Sequence, residues 1–261
     1  MKSSVFITVR SDSSRLPNKA FMPILGKPTI EMVIQRAKLV KSASTVIVCT
    51  TERSVDDEIA NLAKKCGVEC YRGSLDDKLE RWMGAVRRFA IDFFVTMDGD
   101  DLLCDPELME LGIKQMANSD IDFIEAPDGL ICGAFTYAIK REALQKVCEI
   151  KGTNDTEMMW TYFKDTGLFK TGQLLGADQI FFDRNIRLTL DYQEDFDFFN
   201  AIFTAFDCKL NNIALREIIP FLQAHPELIN INAFRHKDWS EGQKKKTKLV
   251  LKNGAASGES R

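Results

Sequence analysis

Val5-Phe6-Ile7-Thr8-Val9 is an almost unbroken apolar run near the N-terminus, and it leads directly into Arg10-Ser11-Asp12-Ser13-Ser14-Arg15-Leu16-Pro17-Asn18-Lys19. The run is typical of a strand that is buried on both faces of a sheet. The segment after it gathers three cations among short polar side chains, and a loop between a strand and a helix exposes backbone N–H groups that bind anions. The loop therefore suits a polyphosphate, although these residues alone are equally compatible with a solvated, charged turn.

Strand-like and helix-like segments alternate over the first hundred residues. Thr45–Thr50 and Phe93–Met97 repeat the buried-strand pattern. Between these strands, apolar residues recur on one helical face in three segments: Ile30, Val33, Ile34, Ala37 and Val40; Ile59, Leu62, Ala63 and Cys66; Leu79, Trp82, Met83 and Val86. The alternation predicts an α/β fold with a mainly parallel, twisted sheet, right-handed crossovers and helices on both faces.

Acidic residues follow two of the predicted strands. Ligands of parallel sheets bind beyond the carboxyl ends of the strands, so residues that follow different strands should meet there. Asp98-Gly99-Asp100-Asp101 follows the strand at 93–97, and a short strand is predicted to end at Asp191. Since Arg and Lys can hold the phosphates of a nucleoside triphosphate while carboxylates hold its Mg²⁺, we predict Asp100 and Asp191 as metal ligands. An ordinary acidic turn is the alternative explanation for 98–101.

Composition and charge exclude several classes of protein. The chain has 261 residues, 45% hydrophobic and 28% charged, and a formal net charge of −3. This balance provides no overall field that would attract a nucleic acid or an anionic membrane. The N-terminus lacks a secretory signal and no run of eighteen uncharged apolar residues occurs, so we expect a cytoplasmic protein. Seven scattered cysteines and two late histidines favour neither a zinc site nor histidine-centred catalysis.

The remainder of the chain gives weaker patterns. Within 121–182 we predict a strand at 135–139 and helices near 141–147 and 155–164, and apolar spacing from Ile213 to Leu222 predicts a last helix. Beyond it the pattern fades. Lys244–Lys246 with Lys248 is typical of a solvated stretch, and the composition of 254–261 is typical of disorder.

Six blocks of residues carry a family resemblance. They are, in order, Ser14–Lys19 with Leu25–Pro28; Tyr71–Asp77; Gly99-Asp100 with Asp105–Leu108; Asp128–Leu130; Leu188–Asp195; and Asn230–Ala233. In this order the blocks resemble the cytidylyltransferases that activate sugar acids, of the acylneuraminate and KDO type, and in particular the spore-coat-polysaccharide cytidylyltransferase-like branch. The resemblance spans almost the whole chain.

The resemblance implies a fold, an activity and an assembly. The fold would be the Rossmann-like nucleotide-diphospho-sugar transferase fold, with a cytidylyltransferase domain at 1–225, a small inserted acceptor and dimerisation lobe at about 121–182, and a partly disordered C-terminal extension at 226–261. The activity would be Mg²⁺-dependent transfer of CMP from CTP to a sugar acid such as KDO or a nonulosonic acid, or to a related acceptor. It would release pyrophosphate and serve the synthesis of a surface polysaccharide or glycan. Relatives of this kind are usually homodimers.

The resemblance also assigns roles to positions in this sequence. Arg10, Arg15 and Lys19 would contact the triphosphate and act in catalysis, with Ser13 and Ser14 beside them, and Asp100 and Asp191 would bind the metal. Arg72, Ser74, Asp76 and Asp77 would form part of the nucleotide pocket, and Asp128 and Glu157 are candidates for acceptor binding.

Three departures from the family pattern bear on these roles. Asn18 replaces a common Gly, and Asn tolerates a left-handed backbone conformation. Asp101-Leu102 replaces a pair such as Cys-Pro and adds charge near the metal. Met158-Met159 replaces His-Val in the expected acceptor region, which leaves the acceptor open.

Two other functions remain open from the sequence. A glycosyltransferase of the GT-A type would use a nucleotide sugar and a D-x-D metal site, here Asp98 and Asp100, but it gives no reason for the cationic loop. A nucleotide-binding protein without catalysis is the other alternative. Release of pyrophosphate from a nucleoside triphosphate separates the predicted activity from both.

Overall fold

The computed structural model describes residues 1–13, 15–208 and 211–253. Its strands are β1 (Ser3–Thr8), β2 (Pro23–Ile24), β3 (Lys27–Pro28), β4 (Thr45–Thr51), β5 (Glu69–Gly73), β6 (Phe93–Asp98), β7 (Phe123–Glu125), β8 (Tyr137–Lys140) and β9 (Thr171–Gln173). Its helices are α1 (Thr29–Ala37), α2 (Asp57–Lys65), α3 (Lys78–Phe89), α4 (Pro106–Ala117), α5 (Arg141–Ile150), α6 (Trp160–Lys164), α7 (Gln193–Ala205), α8 (Leu215–Ala224), α9 (Pro226–Ile229) and α10 (Arg235–Lys246).

One large sheet runs through the described part of the chain in the order β5-β4-β1-β6-β8-β7-β9, and β2 and β3 form a separate short hairpin. Strands β5, β4, β1 and β6 are parallel. Strand β8 runs antiparallel between β6 and β7, and β9 returns parallel to β7. The mainly parallel α/β fold predicted from the sequence is confirmed, and the segment 121–182 contributes β7, β8 and β9 to this same sheet.

The central strand β1 shows why the sheet is buried on both faces. Val5 and Ile7 belong to one hydrophobic core, which also contains residues of α1, α4, α7 and α8. Phe6 points to the opposite face and stacks on Phe94, with ring centroids 4.1 Å apart, in a second core with α3 and α5. An unbroken apolar run is therefore the pattern that this position requires.

Two predicted elements differ from the structure. The segment before Asp191 is no regular strand. The amide of Leu188 donates to Cys132 O and the amide of Leu190 donates to Asp100 O, both at 2.8 Å. The segment therefore connects the loops that contain Cys132 and Asp100. The helix predicted at 155–164 covers only Trp160–Lys164. The residues before this helix are not helical, and among them Thr156 donates from its hydroxyl to Asp77 Oδ1 at 3.0 Å.

The C-terminal part is more ordered than its sequence pattern indicates. The boundary predicted at residue 225 falls between α8 and α9. Lys244–Lys246 are exposed, as expected, but they belong to α10, and Lys248 follows this helix. After α10 the chain returns to the body through a bridge between Leu251 and Lys151. The disorder predicted for 254–261 lies outside the described residues. In the ranges that are described, no helix combines the length and the hydropathy needed to cross a membrane.

Candidate active site

A cavity of about 530 Å³ opens at the carboxyl ends of β1 and β6. Because Thr8 pairs with Asp98 across these two strands, the loops that follow them leave the sheet side by side. Many residues predicted from the sequence line this cavity: Arg10, Ser13, Arg15, Lys19, Asp76, Asp100, Glu157 and Asp191. Ser14 belongs to the same loop but lies outside the described residues.

Gly99 allows the two loops to approach closely. Its amide donates to Thr8 O at 2.8 Å. A Cβ at this position would lie 2.7 Å from the Cβ of Val9 and 3.1 Å from Thr8 O, so any larger side chain would separate the loops. The glycine in Asp98-Gly99-Asp100 thus brings Asp100 next to the cationic loop.

Lys19 forms the centre of the charged cluster. Its ammonium group donates to Asp100 Oδ2 at 2.6 Å, to Leu190 O at 2.8 Å and to Asp191 Oδ1 at 3.1 Å. Burial alone would lower the pKa of Lys19, but the two carboxylates outweigh it and raise this pKa above its ordinary value. Asn18, directly before it, adopts the left-handed conformation with φ of 60°, so the backbone expected at this departure from the family pattern is present.

Asp191 is surrounded by cations. Besides Lys19, its carboxylate accepts from Arg15, and Arg187 Nη2 lies 3.3 Å from its second oxygen. Burial would raise the pKa of Asp191, but these three cations together lower it below its ordinary value. Asp191 therefore stays ionised although its side chain is only 2% exposed.

Below this centre lies Asp195, which fixes the backbone of Asp191. Asp195 is fully buried, and its two oxygens accept from Arg187 Nε at 2.9 Å and from the amides of Asp191 and Tyr192 at 2.8 and 3.0 Å. Asn232 Nδ2 donates to it as well, at 2.9 Å. Asp195 therefore anchors the backbone that carries Asp191.

An acidic cluster adjoins Lys19. Oxygens of Asp98, Asp100 and Asp101 lie within 4.8 Å of one another, a grouping that could hold a metal ion. Asp98 is also paired with Lys78, at 3.2 Å. Burial and the neighbouring carboxylates raise the pKa of Asp101 well above its ordinary value. A raised pKa favours the neutral form of Asp101, so this residue adds less negative charge than the sequence indicates.

At the mouth of the cavity, Arg10 connects the cationic loop to the segment before α6. Arg10 Nη2 donates to Glu157 Oε2 at 2.8 Å, and its Nε lies 3.5 Å from Asp12. Arg53 pairs with the other oxygen of Asp12 at 2.6 Å. Glu157, predicted to bind the acceptor, thus positions a residue predicted to bind the triphosphate.

Four predicted residues lie outside the cavity lining: Arg72, Ser74, Asp77 and Asp128. Arg72 donates to the carbonyls of Thr51 and Arg53, both at 2.9 Å. Asp77 caps α3 and pairs with the buried Lys151. Ser74 accepts from the Asp77 amide at 3.1 Å, and Asp128 is exposed in a turn. The first three shape the turn that carries Asp76, while Asp128 lies at the tip of its own loop.

The cavity also contains residues that sequence analysis missed. Lys78, Arg81 and Tyr137 line it, as do four residues of α10: His236, Trp239, Gln243 and Lys246. Helix α10 is attached through Arg235, which pairs with Glu194 at 2.7 Å, and through Trp239, whose ring centroid lies 5.4 Å from the guanidinium of Arg187. A helix without a fully buried residue leaves no apolar stripe in the sequence, so no periodic signal marks it.

Comparisons with known proteins identify the family and the fold. The family described as cytidylyltransferase matches residues 4–232. Spore coat polysaccharide biosynthesis protein SpsF of Bacillus subtilis is 24% identical over 230 residues, which are 85% of this chain and 94% of that protein. The 8-amino-3,8-dideoxy-manno-octulosonate cytidylyltransferase of Shewanella amazonensis is 28% identical over 167 residues, 62% of this chain and 64% of that enzyme.

A solved structure shares the fold. The structure of a cytidylyltransferase from Leptospira borgpetersenii superimposes with a TM-score of 0.79 at 25% identity, over 88% of this chain and 97% of that one. The family resemblance inferred from the motif blocks is confirmed. Since the family match covers most of the sequence, including β1, β6 and the loops that follow them, the chain belongs to the cytidylyltransferase family.

Proposed function

We propose that the protein transfers CMP from CTP to a sugar acid of the KDO or nonulosonic-acid type and releases pyrophosphate. One observation carries this proposal: Arg10, Arg15 and Lys19 converge with Asp100 and Asp191 in a single cavity at the carboxyl edge of the sheet. The sugar-acid substrate named for the Shewanella relative supports the acceptor class. The homodimer and the cytoplasmic location expected from the sequence stay predictions.

The chemistry asks for positioning and charge stabilisation. A hydroxyl oxygen of the acceptor attacks the α-phosphorus of CTP, and its proton passes to water. The bond from this phosphorus to the bridging oxygen breaks, so negative charge accumulates on the departing pyrophosphate. Arg10, Arg15 and Lys19 would neutralise this charge from one side of the cavity. Each of them is already oriented by a carboxylate, respectively Glu157, Asp191 and Asp100.

We further propose that Mg²⁺ binds at Asp100 and Asp191, with Asp98 and Asp101 nearby. In support of this, the Lys19 ammonium lies between Asp100 and Asp191, so the two carboxylates have the spacing to share one cation. Carboxylate oxygens are also the ligands that Mg²⁺ prefers in proteins. When bound, the ion would polarise the α-phosphate as a Lewis acid. Lys19 would then be free to contact phosphate oxygens.

The test is a pyrophosphate-release assay that crosses four nucleoside triphosphates with sugar acids, amino-sugar variants and phosphorylated sugars. We expect release from CTP with a sugar acid. Lys19→Ala should lower turnover by about 10²-fold or more, because it removes a cation that stabilises the transition state. Lys38→Ala, an exposed lysine that donates to Cys66 O at 3.0 Å, is the matched control.

Three outcomes would contradict the proposal. Near-normal turnover of Lys19→Ala would remove this residue from catalysis. Transfer from a preformed nucleotide sugar, without pyrophosphate release, would favour the GT-A glycosyltransferase. Binding of CTP without turnover by any acceptor would favour a non-catalytic nucleotide-binding protein.

A further inference from the structure

Helix α10 forms one wall of the cavity and begins at Arg235, beyond the residues matched by the family. Trp239, Gln243 and Lys246 line the cavity from this helix. Their spacing of four and three residues places them on one helical face. The neighbouring Lys244 and Lys245 do not line the cavity, so this helical face, and not the basic run as a whole, is directed at the cavity.

Gln243 presents an unsatisfied hydrogen-bond acceptor. Its Oε1 is buried and has no hydrogen-bond partner among the described residues. A buried polar atom without a partner is unfavourable, so a ligand that donates a hydrogen bond would bind well there. Ionised phosphate oxygens only accept hydrogen bonds, whereas sugar hydroxyls and ammonium groups donate them. Gln243 Oε1 is therefore suited to a hydroxyl or ammonium group of a ligand and unsuited to a phosphate oxygen.

Lys246 presents an unpaired cation. Arg10, Arg15 and Lys19, which line the same cavity, each pair with a carboxylate, whereas Lys246 has no ion pair within the described ranges. Lys246 also borders a second, smaller cavity of about 250 Å³ together with Met158. Met158 follows Glu157, which is predicted to bind the acceptor, so the unpaired positive charge borders the segment for which that role is predicted.

We propose that α10 provides the acceptor subsite: Gln243 Oε1 accepts a hydrogen bond from a hydroxyl or ammonium group of the acceptor, and Lys246 pairs with its carboxylate. The ligand class is an acidic polyhydroxylated compound. This inference rests on the proposed function, and it identifies α10 as the part of the chain that selects the acceptor. The residues that bind the triphosphate and those that bind the acceptor would then lie at opposite ends of the sequence.

The experiment measures two quantities on the full-length protein: the KM for the sugar acid during pyrophosphate release, and the Kd for CTP by calorimetry. Lys246→Ala and Gln243→Ala should each raise the KM for the acceptor about tenfold or more, with the Kd for CTP changed less than about twofold. Lys246→Arg should restore most of the acceptor affinity because it restores the charge. Lys245→Ala, one position away on the same helix, should leave both quantities unchanged.

Two results would overturn the subsite. One is an unchanged acceptor KM in both alanine variants; the other is a weakened Kd for CTP with an unchanged acceptor KM, which would assign α10 to the nucleotide. If the wild-type protein turns over no acceptor, binding of 3-deoxy-manno-octulosonate in the presence of CTP separates the two proposals. Binding that Lys246→Ala weakens keeps the subsite while the transfer reaction fails, and absence of binding overturns both.

Discussion

Asp195→Asn is the substitution that tests most directly how the site is held together. The native carboxylate accepts from Arg187 and from the amides of Asp191 and Tyr192, and Asn232 donates to it too. An asparagine has the same shape but one acceptor oxygen fewer, and its NH₂ would face groups that are themselves donors. The change removes one charge at a fully buried position without creating a cavity.

The magnitude follows from the burial of both partners. Arg187 is 1% exposed and Asp195 is 0% exposed, so among the described residues the buried guanidinium keeps Asp191, at 3.3 Å, as its only carboxylate partner. Removing one member of a buried pair typically destabilises a protein by about 3–5 kcal/mol. Since whole domains are stable by about 5–15 kcal/mol, this is a large fraction of the total. Turnover should fall as well, because the Asp191 backbone loses its anchor.

Urea denaturation monitored by circular dichroism measures the free energy of unfolding. The control is Glu194→Gln, which removes the same charge one residue earlier. Glu194 pairs with Arg235 at 2.7 Å, but both side chains are 30% exposed, and such exposed pairs contribute about 0–1 kcal/mol. A loss below about 1 kcal/mol for Asp195→Asn, or equal losses for the two variants, would refute the argument that burial decides the cost.

Three further predictions concern other parts of the molecule. Gly99→Ala should lower the free energy of unfolding by about 1–3 kcal/mol, because the added methyl group meets Val9 at 2.7 Å; a stability equal to wild type in urea denaturation would show that the loops can separate freely. Burial raises the pKa of Cys49 and Cys104 above the ordinary 9.0, so the unfolded chain loses these protons first. The contribution of these two thiols to stability should be level below about pH 9 and then fall, by about 1.4 kcal/mol per thiol at pH 10. Unfolding curves at pH 8 and pH 10 measure this fall, which should shrink when both residues are alanine; an undiminished fall would assign it to other groups. EDTA should abolish pyrophosphate release and Mg²⁺ should restore it, and Asp100→Asn should raise the Mg²⁺ concentration for half-maximal rate about tenfold or more; full activity in EDTA would contradict the metal proposal.

The features that sequence analysis predicted are those set by local patterns. Burial on both faces of β1 forces the apolar run at 5–9, and helical spacing marks α1 to α3, so the α/β class follows. The position of Asp100 opposite Lys19 also follows, because parallel strands share one carboxyl edge. In these cases a few adjacent residues contain the whole signal.

The features it missed depend on contacts between distant residues. The partners of Asp195 include Arg187 and Asn232, which lie 8 and 37 positions away, so no local pattern around Asp195 marks its role. Helix α10 contributes polar residues to a cavity without burying an apolar face, so neither periodicity nor composition distinguishes it from a solvated stretch. Glu157 and Arg10 are 147 positions apart, and only the folded chain brings them together.

The antiparallel strand β8 has a practical consequence. Because β8 runs against both β6 and β7, the chain from 126 to 136 connects neighbouring strands directly and lines the cavity on its way. Such a connection needs no crossover helix, and doubling the length of a flexible loop costs only about 0.6 kcal/mol. Asp128 is exposed at its tip, in the turn closed by the Leu130 amide and Pro127 O at 3.1 Å. Residues inserted at Asp128 would therefore extend the connection that lines this side of the cavity while the sheet keeps its register, which makes the turn a place to redesign substrate preference.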